Sequence, residues 1–291
     1  MIEAKNSQTE GHLKGKTIIL TGANSGIGKE TTRELYRHGA RVIMACRNED
    51  ETQKVIDNFK SLYPQSNGEL LFRRLDLTSF ASVKEFVNQI TREEKQVHML
   101  INNAAVFAAP IEATSDGFEL NVQVNHLSPA LLTFLLLPKL QESNSSQSVS
   151  NKVIMVSSSL YKYGKIDEEL LKKVDSAKIT QLCNENRPDK EVYSSTKLVN
   201  LLFTRKLSEN HSLLKNVEVC LLCPGFTYTR LHRYSPTNAQ INGHEYEWKK
   251  QLVSVRENVR LEDELSKVTS TRKIEHVTKV CIVTVGEHPY Y

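Results

Sequence analysis

The 291-residue chain is 39% hydrophobic and 25% charged, a soluble globular balance, and long enough for one large domain. Thirty-eight Lys+Arg against 34 Asp+Glu give a net charge of only +4, and the basic residues are spread out, so no nucleic-acid partner is expected. Residues 1–13 are polar, and the longest apolar stretch, 130–137, falls short of the roughly 20 residues a membrane span needs, so no integral membrane segment is expected. Five cysteines, an odd number without disulfide-framework spacing, point to a reducing, cytoplasmic setting.

A first strand is predicted over residues 17–20, followed by Thr21-Gly22-Ala23-Asn24-Ser25-Gly26-Ile27-Gly28 and a helix over 27–38. Gly22 permits a tight turn, Gly26 lets a backbone approach a pyrophosphate, and Gly28 lets the helix pack closely. The helix start offers free N–H groups and a positive dipole end. Gly28-Lys29 imitates a P-loop, but the glycines are spaced one residue too far apart and Glu30 stands where Ser or Thr is required. A glycine turn without a ligand remains the plain alternative.

The second strand, 41–45, runs into Cys46-Arg47-Asn48. An acid at this strand end would hold ribose hydroxyls and repel a 2′-phosphate, whereas the Arg47 guanidinium suits the phosphate of NADP(H). A solvated surface arginine is the alternative. A helix over 50–61, a strand over 69–75 ending at Asp76-Leu77, and a helix over 79–92 follow. The next strand, 98–102, closes on Asn102-Asn103-Ala104-Ala105, and a long helix over 117–141 carries Asn125. Because these strands are continuous apolar runs alternating with helices, they predict a doubly wound parallel sheet, Rossmann-like and in one domain over 1–291.

After a Ser-rich loop at 143–150, a strand over 152–157 leads into Ser158, then an insertion over 160–191. Tyr193-Ser194-Ser195-Thr196-Lys197 opens a helix over 193–209, and the four-residue spacing puts Tyr193 and Lys197 on one face. A nearby ammonium favours the phenolate, so Lys197 is expected to lower the Tyr193 pKa. A last strand over 217–223 contains Cys220-Leu-Leu-Cys223; alternate strand residues face opposite ways, so these are read as strand residues rather than metal ligands. Pro224-Gly225 follows, then a polar stretch over 227–264.

Taken in order, these motifs resemble the short-chain dehydrogenase/reductase family over about residues 14–230, and most resemble its retinol dehydrogenase and WW-domain-oxidoreductase-like branch. The resemblance implies that Tyr193 is the general acid/base and that Lys197 tunes it and holds the nicotinamide ribose. It implies that Ser158 hydrogen-bonds the substrate oxygen and that Asn125 helps hold a water linked to Lys197. NADP(H) is expected along Gly22, Asn24, Ser25, Gly26, Ile27, Gly28, Arg47, Asp76, Leu77, Asn102, Ala104, Pro224, Gly225, Thr227 and Thr229, with Asp76 and Leu77 against adenine. The substrate implied is a lipophilic carbonyl or alcohol, and the assembly implied is a homodimer through the helices at 117–141 and 193–209. A non-catalytic NADP-binding scaffold is the competing reading.

Three departures stand out. Ala105 replaces the family's usual glycine, and the 160–191 insertion is longer than usual. Residues 274–283 resemble the family's last large helix, with the chain ending at Tyr291 where a final edge strand would follow, so that strand is open to being absent.

Overall fold

The structure is a computed structural model that describes residues 13–107, 109–142, 151–166, 169–184, 189–224, 231 and 282–284. Strands β1 (Thr17–Thr21), β2 (Arg41–Cys46), β3 (Glu69–Arg74), β4 (Met99–Asn102), β5 (Asn151–Val156) and β6 (Val217–Cys223) pair in parallel. Their order in the sheet is β3-β2-β1-β4-β5-β6, so the chain reverses its direction of travel between β1 and β4. A seventh strand, β7 (Ile282–Thr284), lies parallel beside β6. The edge that the sequence left open is therefore filled. Ile282 and Val283, read as the end of a helix, are extended, as β-branched residues favour. Residues 274–281 lie outside the described residues.

The helices are α1 (Gly26–Arg37), α2 (Glu49–Leu62), α3 (Phe80–Glu93), α4 (Leu120–Val122), α5 (Ser128–Gln141), α6 (Ser176–Asn184), α7 (Asp189–Ser208) and α8 (His211–Leu214). Strand alternation sorts the core into two layers. Ile18, Leu20, Val42 and Met44 face α1 and α2, where Tyr36, Val55, Ile56 and Phe59 cover them. Ile19, Ile43, Leu100 and Val153 face the other way, under Phe86 and Ile90 of α3 and Leu132, Leu136 and Leu140 of α5. Local signals set the helix starts: Asn48 accepts from the Glu51 N–H and Ser79 from the Ser82 N–H, caps worth about 1 kcal/mol each.

The segment Leu120–Gln141 is a continuous 22-residue rod, long and apolar enough to cross a membrane by length and composition. This corrects the expectation that no segment reaches that length: the turns before residue 130 extend the apolar run. Its apolar window is 67% buried, because it fills the layer between α3 and the sheet. Between α4 and α5 the rod widens into a π-turn over Gln123–Leu127, where the Ser128 N–H donates to the Gln123 carbonyl five residues back. The insertion after β5 contains a 3₁₀ turn (Ser159–Tyr163) and α6, and α7 starts four residues ahead of Tyr193.

Candidate active site

The carboxyl ends of the strands carry the site, as expected where the sheet reverses its order. Gly22 has φ +65°, and a Cβ there would lie 3.1 Å from Ala104 Cα and Cβ. Gly28 has no room either: its Cβ would fall 2.1 Å from the Gly22 carbonyl oxygen and 2.6 Å from Asn103 Nδ2. Asn103 ties the loop down by donating to the Thr21 carbonyl at 2.9 Å, while the Thr21 hydroxyl accepts from the Asn103 and Ala104 N–H groups at 3.0 and 2.9 Å. Neither Thr21 nor Asn103 was singled out from sequence, although both stand inside the motifs quoted there.

The start of α1 fits the phosphates of a dinucleotide. Ser25 makes no side-chain cap bond to the first N–H groups, and the first turn carries no acid. Asn24, Ser25, Gly26 and Ile27 are half-buried around it. The Gly22 N–H donates to the Ala45 carbonyl at 3.0 Å, and Arg47, exposed, follows two residues on. At the end of β3, Asp76 Oδ1 accepts from the Thr78 N–H and hydroxyl. The Leu77 side chain is buried in the core and its carbonyl accepts from the Ser128 hydroxyl, so only its backbone stays near the rim. Asn102 donates to Thr133 Oγ1 at 3.0 Å, and its Oδ1, buried, has no partner among the described residues. Ala105 needs no left-handed backbone: Lys215 is the only non-glycine with positive φ among the described residues. Pro224 is half-buried just beyond β6; Gly225, Thr227 and Thr229 lie outside the described residues.

The four residues assigned to chemistry converge. The hydroxyl of Ser158, just past β5, hydrogen-bonds the Tyr193 phenol. Lys197 Nζ lies 5.3 Å from the Tyr193 ring centroid and donates to the Val156 carbonyl at 2.9 Å. Asn125, in the π-turn, makes a reciprocal pair with the backbone of Val106: Oδ1 accepts from its N–H at 2.8 Å and Nδ2 donates to its carbonyl at 2.9 Å. Asn125 Nδ2 also reaches Thr196 Oγ1 at 3.2 Å. Phe107 stands edge-on to the Tyr193 ring at 4.8 Å, and Ala105, Leu160 and Leu231 pack against the pair. The sequence did not single out Phe107; only its place three residues after Ala104 hinted at it.

One expectation reverses. Burial pushes the Tyr193 phenol well above the ordinary tyrosine range, and the Ser158 hydrogen bond offsets only part of that. Burial likewise drives the Lys197 ammonium down to about 8. Desolvation prevails because Tyr193 and Lys197 are both nearly inaccessible to water, 4% and 2% exposed. Cys220 and Cys223 point to opposite faces of β6, as their spacing requires.

The sequence pattern of the short chain dehydrogenase family matches residues 16–168. Human retinol dehydrogenase 14 is 40% identical over 235 residues, covering 77% of this chain and 65% of that protein. Mouse retinol dehydrogenase 12 is 40% identical over 204 residues, covering 69% of this chain and 58% of that protein. The chain thus spans less than two thirds of these relatives' length. Among solved structures, an uncharacterised protein from Mycobacterium paratuberculosis superposes with a TM-score of 0.58 at 32% identity, covering 76% of this chain and 72% of that one. A short chain dehydrogenase from Escherichia coli CFT073 complexed with NADPH superposes with a TM-score of 0.56 at 21% identity, covering 77% of this chain and 83% of that one; at this identity it shows the fold alone.

Proposed function

Because the chain belongs to the short chain dehydrogenase family, we propose that it is an NADP(H)-dependent oxidoreductase reducing a lipophilic aldehyde or ketone of the retinoid type. The observation that carries this reading is the Tyr193 phenol, hydrogen-bonded to Ser158 and beside Lys197, set within a wall of Phe107, Leu160 and Leu231. Bound NADPH would supply the hydride to the carbonyl carbon. Tyr193, held protonated by its burial, would give its phenolic proton to the carbonyl oxygen, leaving an alcohol. Ser158 would donate a hydrogen bond to that oxygen as charge builds on it. Lys197 would hold the nicotinamide ribose, and the glycine loop and α1 start would hold the pyrophosphate.

Arg47 at the end of β2 supports NADP(H) over NAD(H). The apolar wall and the retinol dehydrogenase relatives support a lipophilic substrate. The odd cysteine count without disulfide-framework spacing supports a reducing, cytoplasmic location. Phe134 (47% exposed), Leu135 and Leu202 support pairing of two copies through α5 and α7, whereas Leu201 on α7 is buried against Met155. Sedimentation at micromolar concentration tests that dimer, and a monomer overturns it. The activity is tested by following NADPH consumption with all-trans-retinaldehyde and a panel of aliphatic aldehydes and ketones. A protein that binds NADPH and consumes it with none of these carbonyls refutes the reading in favour of a cofactor-binding scaffold.

A further inference from the structure

The π-turn that carries Asn125 has a defect at its centre. In an α-helix the Asn125 carbonyl would accept from the N–H four residues on, but that residue is Pro129, which has none. A side chain from another element fills the gap: Asn200 Nδ2, on α7, donates to the Asn125 carbonyl at 2.9 Å. Asn200 is 1% exposed and sits three residues after Lys197, one turn along the same face. Its amide orientation is held from both sides, by the Asn125 carbonyl and by the His126 ring. The Asn125 carbonyl can only accept, so Nδ2 faces it and Oδ1 faces His126 Nδ1 at 2.8 Å. Oδ1 can likewise only accept, so the proton of the buried, neutral His126 ring sits on Nδ1, and Phe203 closes on the ring edge-on at 5.8 Å.

These bonds form one connected path. His126 orients Asn200, and Asn200 holds the Asn125 backbone. Asn125 in turn holds Val106 and Thr196, and the Thr196 hydroxyl donates to the Tyr193 carbonyl at 2.7 Å. We propose that Asn200, oriented by His126, is a positioning residue that keeps the π-turn, the Val106 segment and the Tyr193–Lys197 face of α7 in fixed register. The proposal rests on the assignment of Tyr193 and Lys197 to the chemistry. It explains how the widened turn tolerates Pro129: the carbonyl that proline deprives of its α-helical donor becomes the point where α7 is attached.

The test uses Asn200→Ala and His126→Phe in the full chain with two independent readouts. The first is NADPH-dependent retinaldehyde reduction alongside NADPH affinity by fluorescence. Asn200→Ala should lower kcat by roughly 10- to 10²-fold, the scale of a sub-ångström to 1 Å misplacement, while KM and NADPH affinity stay within about threefold. His126→Phe should shift kcat in the same direction by less. The second readout needs no substrate: hydrogen–deuterium exchange at Leu127 and Ser128 should quicken in Asn200→Ala, with β1 and α1 unchanged. Wild-type kcat together with wild-type exchange overturns the proposal. So does a parallel loss of kcat, NADPH affinity and thermal midpoint, which is what a merely structural asparagine would give. A wild type inactive on retinaldehyde overturns the substrate reading instead, and exchange at the π-turn then decides the proposal. Should Asn200→Ala not fold, His126→Phe decides it by the same two readouts.

Discussion

A single methyl group added at Gly28 tests whether the glycine loop is a cofactor cradle whose shape depends on backbone contact. The Cβ of Gly28→Ala would stand 2.1 Å from the Gly22 carbonyl oxygen and 2.9 Å from its carbonyl carbon. Even a close C–H···O contact needs about 3.3 Å, so the loop and the start of α1 must separate by roughly 1.2 Å. No flexible side-chain tip can absorb this, because the obstructing atoms are backbone and the Asn103 amide that anchors Thr21. Overpacking of this kind costs about 1–3 kcal/mol, or about 2–12 °C in thermal midpoint at about 2–4 °C per kcal/mol. Displacing one N–H from a phosphate forfeits about 1.5–3 kcal/mol, a loss of about 10- to 10²-fold in NADPH affinity. The assay is NADPH titration by fluorescence with thermal melts in parallel. Gly15→Ala serves as the control: it also has positive φ, +77°, but its Cβ would meet nothing within 4 Å. A Gly28→Ala protein that matches Gly15→Ala in both melt and NADPH affinity refutes the cradle.

Tyr193→Phe should fold and bind NADPH normally and lose about 10²–10⁴-fold in turnover, checked by steady-state kinetics; turnover at the wild-type rate would remove the phenol from the mechanism. Lys197 titrates near 8 in the fold against an ordinary 10.5, so the unfolded chain holds more protons between those values. Wild-type stability should therefore rise with pH from about 8 to 10.5 relative to Lys197→Met, measured as the difference in melting temperature; a pH-independent difference would contradict the burial of a charged lysine. Arg47→Asp should turn an NADP(H) preference toward NAD(H), read as the ratio of the two kcat/KM values. A wild type that prefers NAD(H), or a variant that keeps the NADP(H) preference, would show that Arg47 is simply solvated.

Local chemistry determined much of this protein. Strand ends fell within one or two residues of the expected positions because buried parallel strands are short unbroken apolar runs bounded by turns. The glycine loop and the Tyr193–Lys197 pair were legible because each depends on a spacing within one segment, whereas Asn125 and Ser158 were implied only by the family resemblance. Tertiary structure decided the rest. In the π-turn, the carbonyl facing Pro129 meets Asn200 from a helix some seventy residues away, and periodicity within one helix cannot report that. The partnership of Asn103 with Thr21 and of Phe107 with Tyr193 likewise joins separate strand ends. β7 was hidden because three residues are too few for a pattern. The pKa reversal is the sharpest case. Helical spacing puts an ammonium near a phenol, but whether that proximity or desolvation prevails depends on how much water the folded surroundings exclude, and here they exclude nearly all of it.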